Sequence, residues 1–361
     1  MNHAELSRDD RKRRVLAVVA AARRLADPRD PLGIEARLAL PGATGLSARS
    51  IEMSLGRHLE TSTTPEDLEK LVTRAGSAPR VHVVLSANVF TGVIRAVALA
   101  VAAAPSVVVR PSSREAVLAP LLLQALTEGG EGTKFELSSA LQPLPGDDVH
   151  VYGRRETIAA IAASCPAGVS VRGHGPGFGV AVVGGAPGDV RDQAERLSWD
   201  VVAFDQRGCL SPRVAFVAGS LDEAARFADC LAGELETREE EVPRGTLSDE
   251  ERRDASLYRE TLTAVASHRE GRSFAVGLDA EPRALVVPPP GRHLHIVRVS
   301  DAGELEQLLR PYRGAITCVG VSDPSTHGVH LAALAPGARI LLLGEMQRPP
   351  LDGPVDLREM L

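Results

Sequence analysis

The sequence predicts an α/β protein built from two Rossmann-like parallel units, preceded by an N-terminal helical segment. Continuous apolar runs rich in Val alternate with helical spacings from Val81 to Ser164, and the pattern resumes from Gly179 to Leu343. Strands that are apolar on both faces belong to parallel sheets covered by helices and joined by right-handed crossovers. The stretch before them, residues 1–75, is polar and amphipathic with irregular connections.

Each element has its own signal. Arg11–Leu25 is Ala- and Arg-rich at helical spacing, and Pro65 opens a helix that Thr63 or Thr64 can cap. A strand at Val81–Leu85 is followed by an apolar helix at Phe90–Ala103, a strand at Ser106–Arg110 and a helix at Arg114–Leu126. A polar loop at Gly129–Lys134, a short strand at His150–Tyr152 and a helix at Arg155–Ser164 come next. The second run opens with a strand at Gly179–Val183 and a helix at Asp189–Val202. The block DQRGCLSP, Asp205–Pro212, then leads into a strand at Val214–Val217, a helix at Ser220–Glu234 and an acidic helical stretch at Glu239–Arg269. Strands at Phe274–Leu278, Arg283–Val287 and His293–Val299, a helix at Ala302–Leu309 and strands at Ile316–Val321 and Ala338–Leu343 complete it.

Composition excludes several classes. A chain of 361 residues that is 44% hydrophobic and 24% charged is globular and long enough for two domains. Aromatics are only 3%, so the core must be Ala, Val and Leu. The net charge of −6, without a basic stripe, argues against nucleic acid as a partner. The mixed run Arg8–Arg14 reads as a solvated helix start. The N-terminus lacks a signal-peptide core, and the apolar stretch Val93–Pro105 is interrupted by Arg95 and too short to span a bilayer. Cys165, Cys209, Cys230 and Cys318 are scattered, with no CxxC and no His-rich spacing, so neither a disulfide framework nor a metal site is expected. A reducing cytoplasm is the expected compartment.

Five segments carry a resemblance: LSANVFTGVIRAVALAVAAAPSVVVRPSSRE, VYGRRETIAAI, VRGHGPGFGVAVV, FDQRGCLSPRVAFV and GEMQRPPLDGPVDLR. Together they resemble the acyl-CoA reductases that make fatty aldehyde in bacterial bioluminescence, within the aldehyde dehydrogenase superfamily. DQRGCLSP is the most specific of them, and the first 75 residues match only loosely. The resemblance implies an aldehyde dehydrogenase-like fold and reduction of an acyl thioester by NADPH through an acyl-cysteine. It also names the parts: an N-terminal helical segment at 1–75, an NADP-binding domain at 76–204 with part of the tail 341–361, and a catalytic domain at 205–340.

The residues fit that chemistry. Cys209 is the expected nucleophile, because a thiolate attacks a thioester readily and leaves again easily; Cys165, Cys230 and Cys318 sit on apolar patterns and read as structural. Asn88, between a strand and a helix, matches the asparagine that helps hold the oxyanion, with a helix N-cap as the other reading. Arg110, Ser112 and Ser113 end the second strand, where the superfamily binds the adenosine ribose. Ser113 stands where a glutamate is usual, and Ser with Arg welcomes a 2′-phosphate that a carboxylate would repel. That favours NADPH over NADH. Gly153 with Arg154, ahead of a helix, is the expected pyrophosphate seat. His174 falls near the glutamate that hydrolyses the acyl-enzyme in aldehyde-oxidising relatives; it is expected to assist thiolate formation or protonate the leaving sulfur, a backbone-bonded loop histidine being the other reading. The superfamily's glutamate for the nicotinamide ribose has no equivalent near Val286–Pro290.

The expected partner is an acyl-CoA or acyl-carrier thioester, with no membrane span and with a homo-oligomer left open. Three alternatives remain on the sequence. An aldehyde dehydrogenase running oxidatively lacks its glutamate here. A Cys-dependent acyltransferase or thioesterase would leave Arg110, Ser113 and Gly153 without a purpose. A non-catalytic subunit would have no use for the intact Cys209 block.

Overall fold

The computed structural model describes residues 6–130, 134–184, 190–282, 284–323 and 331–358. The chain forms two compact units. One runs through Pro176 and takes in Pro350–Val355; the other comprises Gly177–Pro349 with Asp356–Arg358.

The first unit begins with helices α1 (Arg8–Ala26), α2 (Pro31–Thr44), α3 (Ala48–Arg57) and α4 (Pro65–Arg74). Ser7 caps α1 by accepting from the Asp10 N–H, and Thr64 caps α4 by accepting from the Asp67 N–H. These helices are not a separate segment. Val15, Val18, Val19, Ala22 and Leu25 of α1 are buried, and α1 packs on α5 (Gly92–Ala103) and α6 (Leu118–Glu128). Arg14 adds hydrogen bonds of 2.7 and 3.0 Å to the carbonyls of Ala104 and Pro105.

Strands β1 (Arg80–Val84), β2 (Ser106–Arg110), β3 (Lys134–Leu137), β4 (Asp148–Tyr152) and β5 (Ser170–His174) form a parallel sheet in the order β3-β2-β1-β4-β5, with α7 (Arg155–Ser164) between β4 and β5. The strand order reverses between β1 and β4, as in a dinucleotide-binding fold. The tail docks on this unit through Arg95, which pairs with Glu60 at 3.0 Å and donates to the carbonyls of Pro350 and Gly353, and through the Arg74–Asp352 ion pair at 2.9 Å.

The second unit contains β6 (Phe178–Val183), α8 (Val190–Val202), β7 (Pro212–Ala218), α9 (Leu221–Glu241), α10 (Asp249–Val265), β8 (Ser267–Glu270), β9 (Ala275–Asp279), β10 (His293–Val299), α11 (Ala302–Leu309), β11 (Ile316–Val321) and β12 (Arg339–Leu342). Its seven strands run β12-β11-β6-β7-β10-β9-β8, and only β8 is antiparallel to its neighbour. The core is aliphatic, with Val180, Val214, Val297 and Val319 fully buried around Phe216.

The structure differs from the sequence reading at several points. The division between the α/β parts falls at Pro176/Gly177 rather than at 204/205, because β6 sits in the middle of the second sheet, paired to both β7 and β11. Strands β3, β5 and β8 were not expected; all three are short edge strands of four or five residues that lack a continuous apolar run. The strand expected at Arg283–Val287 does not form over 284–287, where the following Pro288–Pro290 supply no N–H for a ladder. Arg283, the expected helix start Asp189 and residues 131–133 of the polar loop lie outside the described residues. No helix among the described residues is long and apolar enough to cross a membrane, and no group of His, Cys, Asp or Glu among them could hold a metal.

Candidate active site

Cys209 sits on the turn between α8 and β7, at the amino-terminal edge of the second unit's sheet. The chain reaches it through an unusual backbone. Phe204, Asp205 and Gln206 are consecutive left-handed residues, with φ of 52°, 50° and 61°, and none is a glycine. Each such residue costs on the order of 1–3 kcal/mol and persists only where its surroundings hold it.

Those surroundings are buried hydrogen bonds. The Asp205 carboxylate accepts from Arg292 Nε at 2.9 Å and from the Gly245 N–H at 3.0 Å, while its carbonyl accepts from the Gly291 N–H at 3.0 Å. The Gln206 amide donates to the carbonyls of Pro212 and His293 at 2.7 and 2.8 Å and accepts from the His293 N–H at 2.6 Å. Arg213 ties the Gln206 carbonyl to that of Pro288. The turn then closes with the Ser211 N–H on the Gly208 carbonyl, and Thr317 Oγ1 of β11 donates to the Cys209 carbonyl.

Cys209 as a residue is half-buried. Burial first, and then the Asp356 carboxylate, push its pKa up to about 11. The Arg358 guanidinium and the backbone N–H groups of Cys209 and Leu210 pull the other way. At neutral pH the resting group is therefore a thiol, and the thiolate expected from the sequence has to be generated. Burial also raises the pKa of Cys318, whose side chain is fully buried in β11.

The other sequence-predicted residues lie on the first unit, along the carboxyl edge of its sheet. Asn88 is exposed on the loop from β1 to α5. It is not the N-cap of α5; that position is Thr91. Arg110, exposed, ends β2, and Ser112 and Ser113 follow it. Ser112 Oγ accepts from the Arg114 N–H at 3.3 Å, and Ser113 is exposed. The carboxylate nearest in sequence, Glu115, turns inward: it accepts from the N–H groups of Val117 and Leu118 at 2.8 and 2.9 Å and so caps α6.

Gly153 follows β4, and Arg154 occupies the N-cap position of α7 without a side-chain cap bond. His174 ends β5 opposite Tyr152, stacked on that ring at 4.2 Å, with its Nε2 at 3.4 Å from His150 Nδ1. Burial, then the neighbouring His174 and Arg172, hold His150 down at about 3. Asn88 and Gly153 thus flank the two strands where the order reverses, which is where open parallel sheets bind ligands.

The sequence reading missed the supports of Cys209. Asp205 and Gln206 lie inside the block that singled out the cysteine, and only their burial shows what they do. Asp356 and Arg358 lie inside another of the quoted segments but had no role there, and Arg292 carries no local signal at all.

No curated protein matches the chain. Among solved structures, it is similar to a succinic semialdehyde dehydrogenase from Streptococcus pyogenes in complex with NADP+, with 15% identity and a TM-score of 0.66 over 93% of this chain and 82% of that one. It is similar to the NADP-dependent glyceraldehyde-3-phosphate dehydrogenase from Bacillus halodurans complexed with NADP, with 13% identity and a TM-score of 0.65 over 95% and 81%. A variant of proline utilization A from Bradyrhizobium japonicum matches 98% of the chain at 16% identity and a TM-score of 0.66, and there the chain spans 44% of that protein's length. At these identities the likeness shows the fold, that of the aldehyde dehydrogenase superfamily. The family model for acyl-CoA reductase (LuxC) matches residues 63–361, and the chain belongs to that family.

Proposed function

We propose that the chain reduces an acyl thioester, a fatty acyl-CoA foremost, to the aldehyde, with NADPH as reductant and Cys209 carrying the acyl group. The observation that supports this most is the loop bearing Cys209. Three left-handed residues in a row are kept in place by buried Asp205 and Gln206, and backbone strain held that firmly is characteristic of reactive sites.

The chain's own residues would act as follows. The Cys209 thiol gives up its proton and attacks the thioester carbonyl, and the carbon–sulfur bond to CoA breaks. Backbone N–H groups at Cys209 and Leu210 supply donors at the nucleophile. The resemblance gives Asn88 the side-chain donor to the oxyanion and His174 the proton for the departing CoA sulfur. NADPH, when bound, supplies the hydride that converts the acyl-cysteine to a thiohemiacetal. Collapse of that adduct frees the aldehyde and returns Cys209.

The first unit suits a dinucleotide phosphate. Arg110 and Ser113 are exposed at the end of β2, and the nearby carboxylate Glu115 is occupied by α6. With no side-chain cap at Arg154, the first N–H groups of α7 can take a phosphate. Two of the similar structures are complexes with NADP. These residues would hold the cofactor.

The test is intact mass after incubation with an acyl-CoA and no NADPH, paired with NADPH oxidation across thioesters of increasing chain length. The wild type should gain one acyl group and Cys209→Ala none. Labelling that persists in Cys209→Ala removes Cys209 as the nucleophile.

A further inference from the structure

Asp356 and Arg358 of the tail have no part in the proposed reaction. Arg358 is held on two sides. Its Nε donates to Asp356 Oδ1 at 2.7 Å and its second terminal nitrogen donates to Asp356 Oδ2 at 2.5 Å, while Nη1 donates to the Gly314 carbonyl at 2.7 Å. The side chain is only about one-tenth exposed, 11%, so the guanidinium is fixed rather than waving in solvent.

Where it is fixed matters. A Cβ placed on Gly177 would come within 2.4 Å of Thr317 Cγ2 and 3.1 Å of Arg358 Nη1. Gly177 is thus a glycine because the Thr317 methyl and the Ala315 carbonyl, 2.7 Å away, leave no room for a Cβ, and the Arg358 guanidinium lies alongside the same point. Thr317 is the residue whose hydroxyl donates to the Cys209 carbonyl. The cation, the glycine, the threonine and the cysteine turn form one continuous group at the amino-terminal edge of β6, β7 and β11. Gly337, at φ 78°, supports the same arrangement: its missing Cβ leaves room for the Arg358 backbone, which would lie 2.5 Å away.

We propose that Arg358 is the cationic positioning residue of the Cys209 nucleophile, held by Asp356 and the Gly314 carbonyl at the edge of the sheet where the cysteine turn lies. This rests on the reading of Cys209 as the nucleophile. A buried thiol loses its proton more readily where a cation adds to the backbone N–H donors in offsetting the charge left on sulfur. Among the described residues, the charged groups acting on Cys209 include Asp356, whose effect is the larger, and Arg358 from the tail, and the Cys318 thiol of β11 faces it as well. Arg358 is the cation in that set. Asp356 has a double part: it holds Arg358 in place, and its own charge opposes the thiolate. The two residues therefore have opposite signs of effect, which a purely structural tail would not produce.

The experiment is the pH profile of Cys209 alkylation by iodoacetamide, read on the Cys209 peptide by mass spectrometry so that the other cysteines do not contribute. The full chain is used. Arg358→Gln should raise the midpoint by about one pH unit and slow alkylation below it by roughly tenfold. Arg358→Lys should recover part of the shift. Asp356→Asn, which leaves the Gly314 contact to hold Arg358, should move the midpoint down. An Arg358→Gln profile that superimposes on the wild type, in a variant with unchanged melting temperature, overturns the proposal. So does a shift of the same sign in Arg358→Gln and Asp356→Asn, because that is what loosening of the tail would give. If Arg358→Gln does not fold, the Lys and Asn variants decide alone. Acyl labelling of the wild type separates the two claims: absent labelling with oppositely shifted profiles removes the nucleophile reading and leaves the electrostatic one standing.

Discussion

Arg292 Nε lies 2.9 Å from Asp205 Oδ1, and both side chains are fully buried beneath the turn that carries Cys209. Arg292 also pairs with Glu239 at 3.0 Å and donates to the Val242 carbonyl, so the loop is fastened to α9 and to the start of β10 at once. The contacts span 87 positions of sequence.

Removing the carboxylate from this pair should leave a buried cation undercompensated. Asp205→Ala is expected to cost about 3 kcal/mol of stability, the scale of a broken buried ion pair. It should also slow acylation of Cys209, because the left-handed residues lose their support. Urea unfolding gives the first quantity and intact mass the second. A loss under 1 kcal/mol would mean that the pair does not hold the loop.

Cofactor preference follows from the turn after β2. Ser113 is exposed there, and Glu115 is turned into the N-terminus of α6. NADPH should be preferred over NADH. Ser113→Glu should cut kcat/KM for NADPH by roughly tenfold, about 1.4 kcal/mol, and leave NADH nearly unchanged. Equal rates with both cofactors in the wild type refute the assignment of this turn to the 2′-phosphate.

His174 stacks on Tyr152 at the end of β5. If it protonates the departing sulfur, His174→Ala should slow the burst of CoA release by about a hundredfold and leave the later hydride step alone. Rapid mixing separates the two phases. Free acid released quickly without NADPH by the wild type, and not by the variant, would instead make His174 a hydrolytic base and reverse the direction of chemistry.

Stability should fall at mildly acidic pH. His293 and His295 of β10 are fully buried, and burial holds both at about 4 against an ordinary 6.5. The folded state keeps them neutral, whereas the unfolded chain takes up protons below 6.5. Their contribution is thus complete above pH 6.5 and is lost as the pH falls toward 4, by at most about 3 kcal/mol each. Urea midpoints from pH 7.5 to 4.5 measure this. His295→Gln, which cannot titrate beside Tyr258, should flatten the curve; an unchanged slope would show that His295 is not among the groups responsible.

How much of this was legible in the sequence depends on the range of the interaction. Local pattern sufficed for the buried strands β1, β2, β6, β10 and β11, because a strand apolar on both faces can be stable only inside a covered sheet. It sufficed for the Thr64 cap, which is a contact three residues long. The block around Cys209 stood out by its resemblance to a family motif, and it drew attention to the turn where the structure shows the strain. The edge strands β3, β5 and β8 did not show, since they are short, lack a continuous apolar run and are held by backbone hydrogen bonds that leave no mark on side-chain pattern. The place of β6 in the second sheet did not show either: a continuous apolar run states that a strand is covered and is silent about which strands flank it. Above all, only the tertiary structure brings Arg292 to Asp205 and sets Arg358 beside Gly177 and Thr317, whose hydroxyl reaches the Cys209 carbonyl. A charged side chain in a sequence of average charge reads as solvated surface, and it becomes a support for a strained loop only when folding removes water from around it and places its counter-charge at hydrogen-bonding distance.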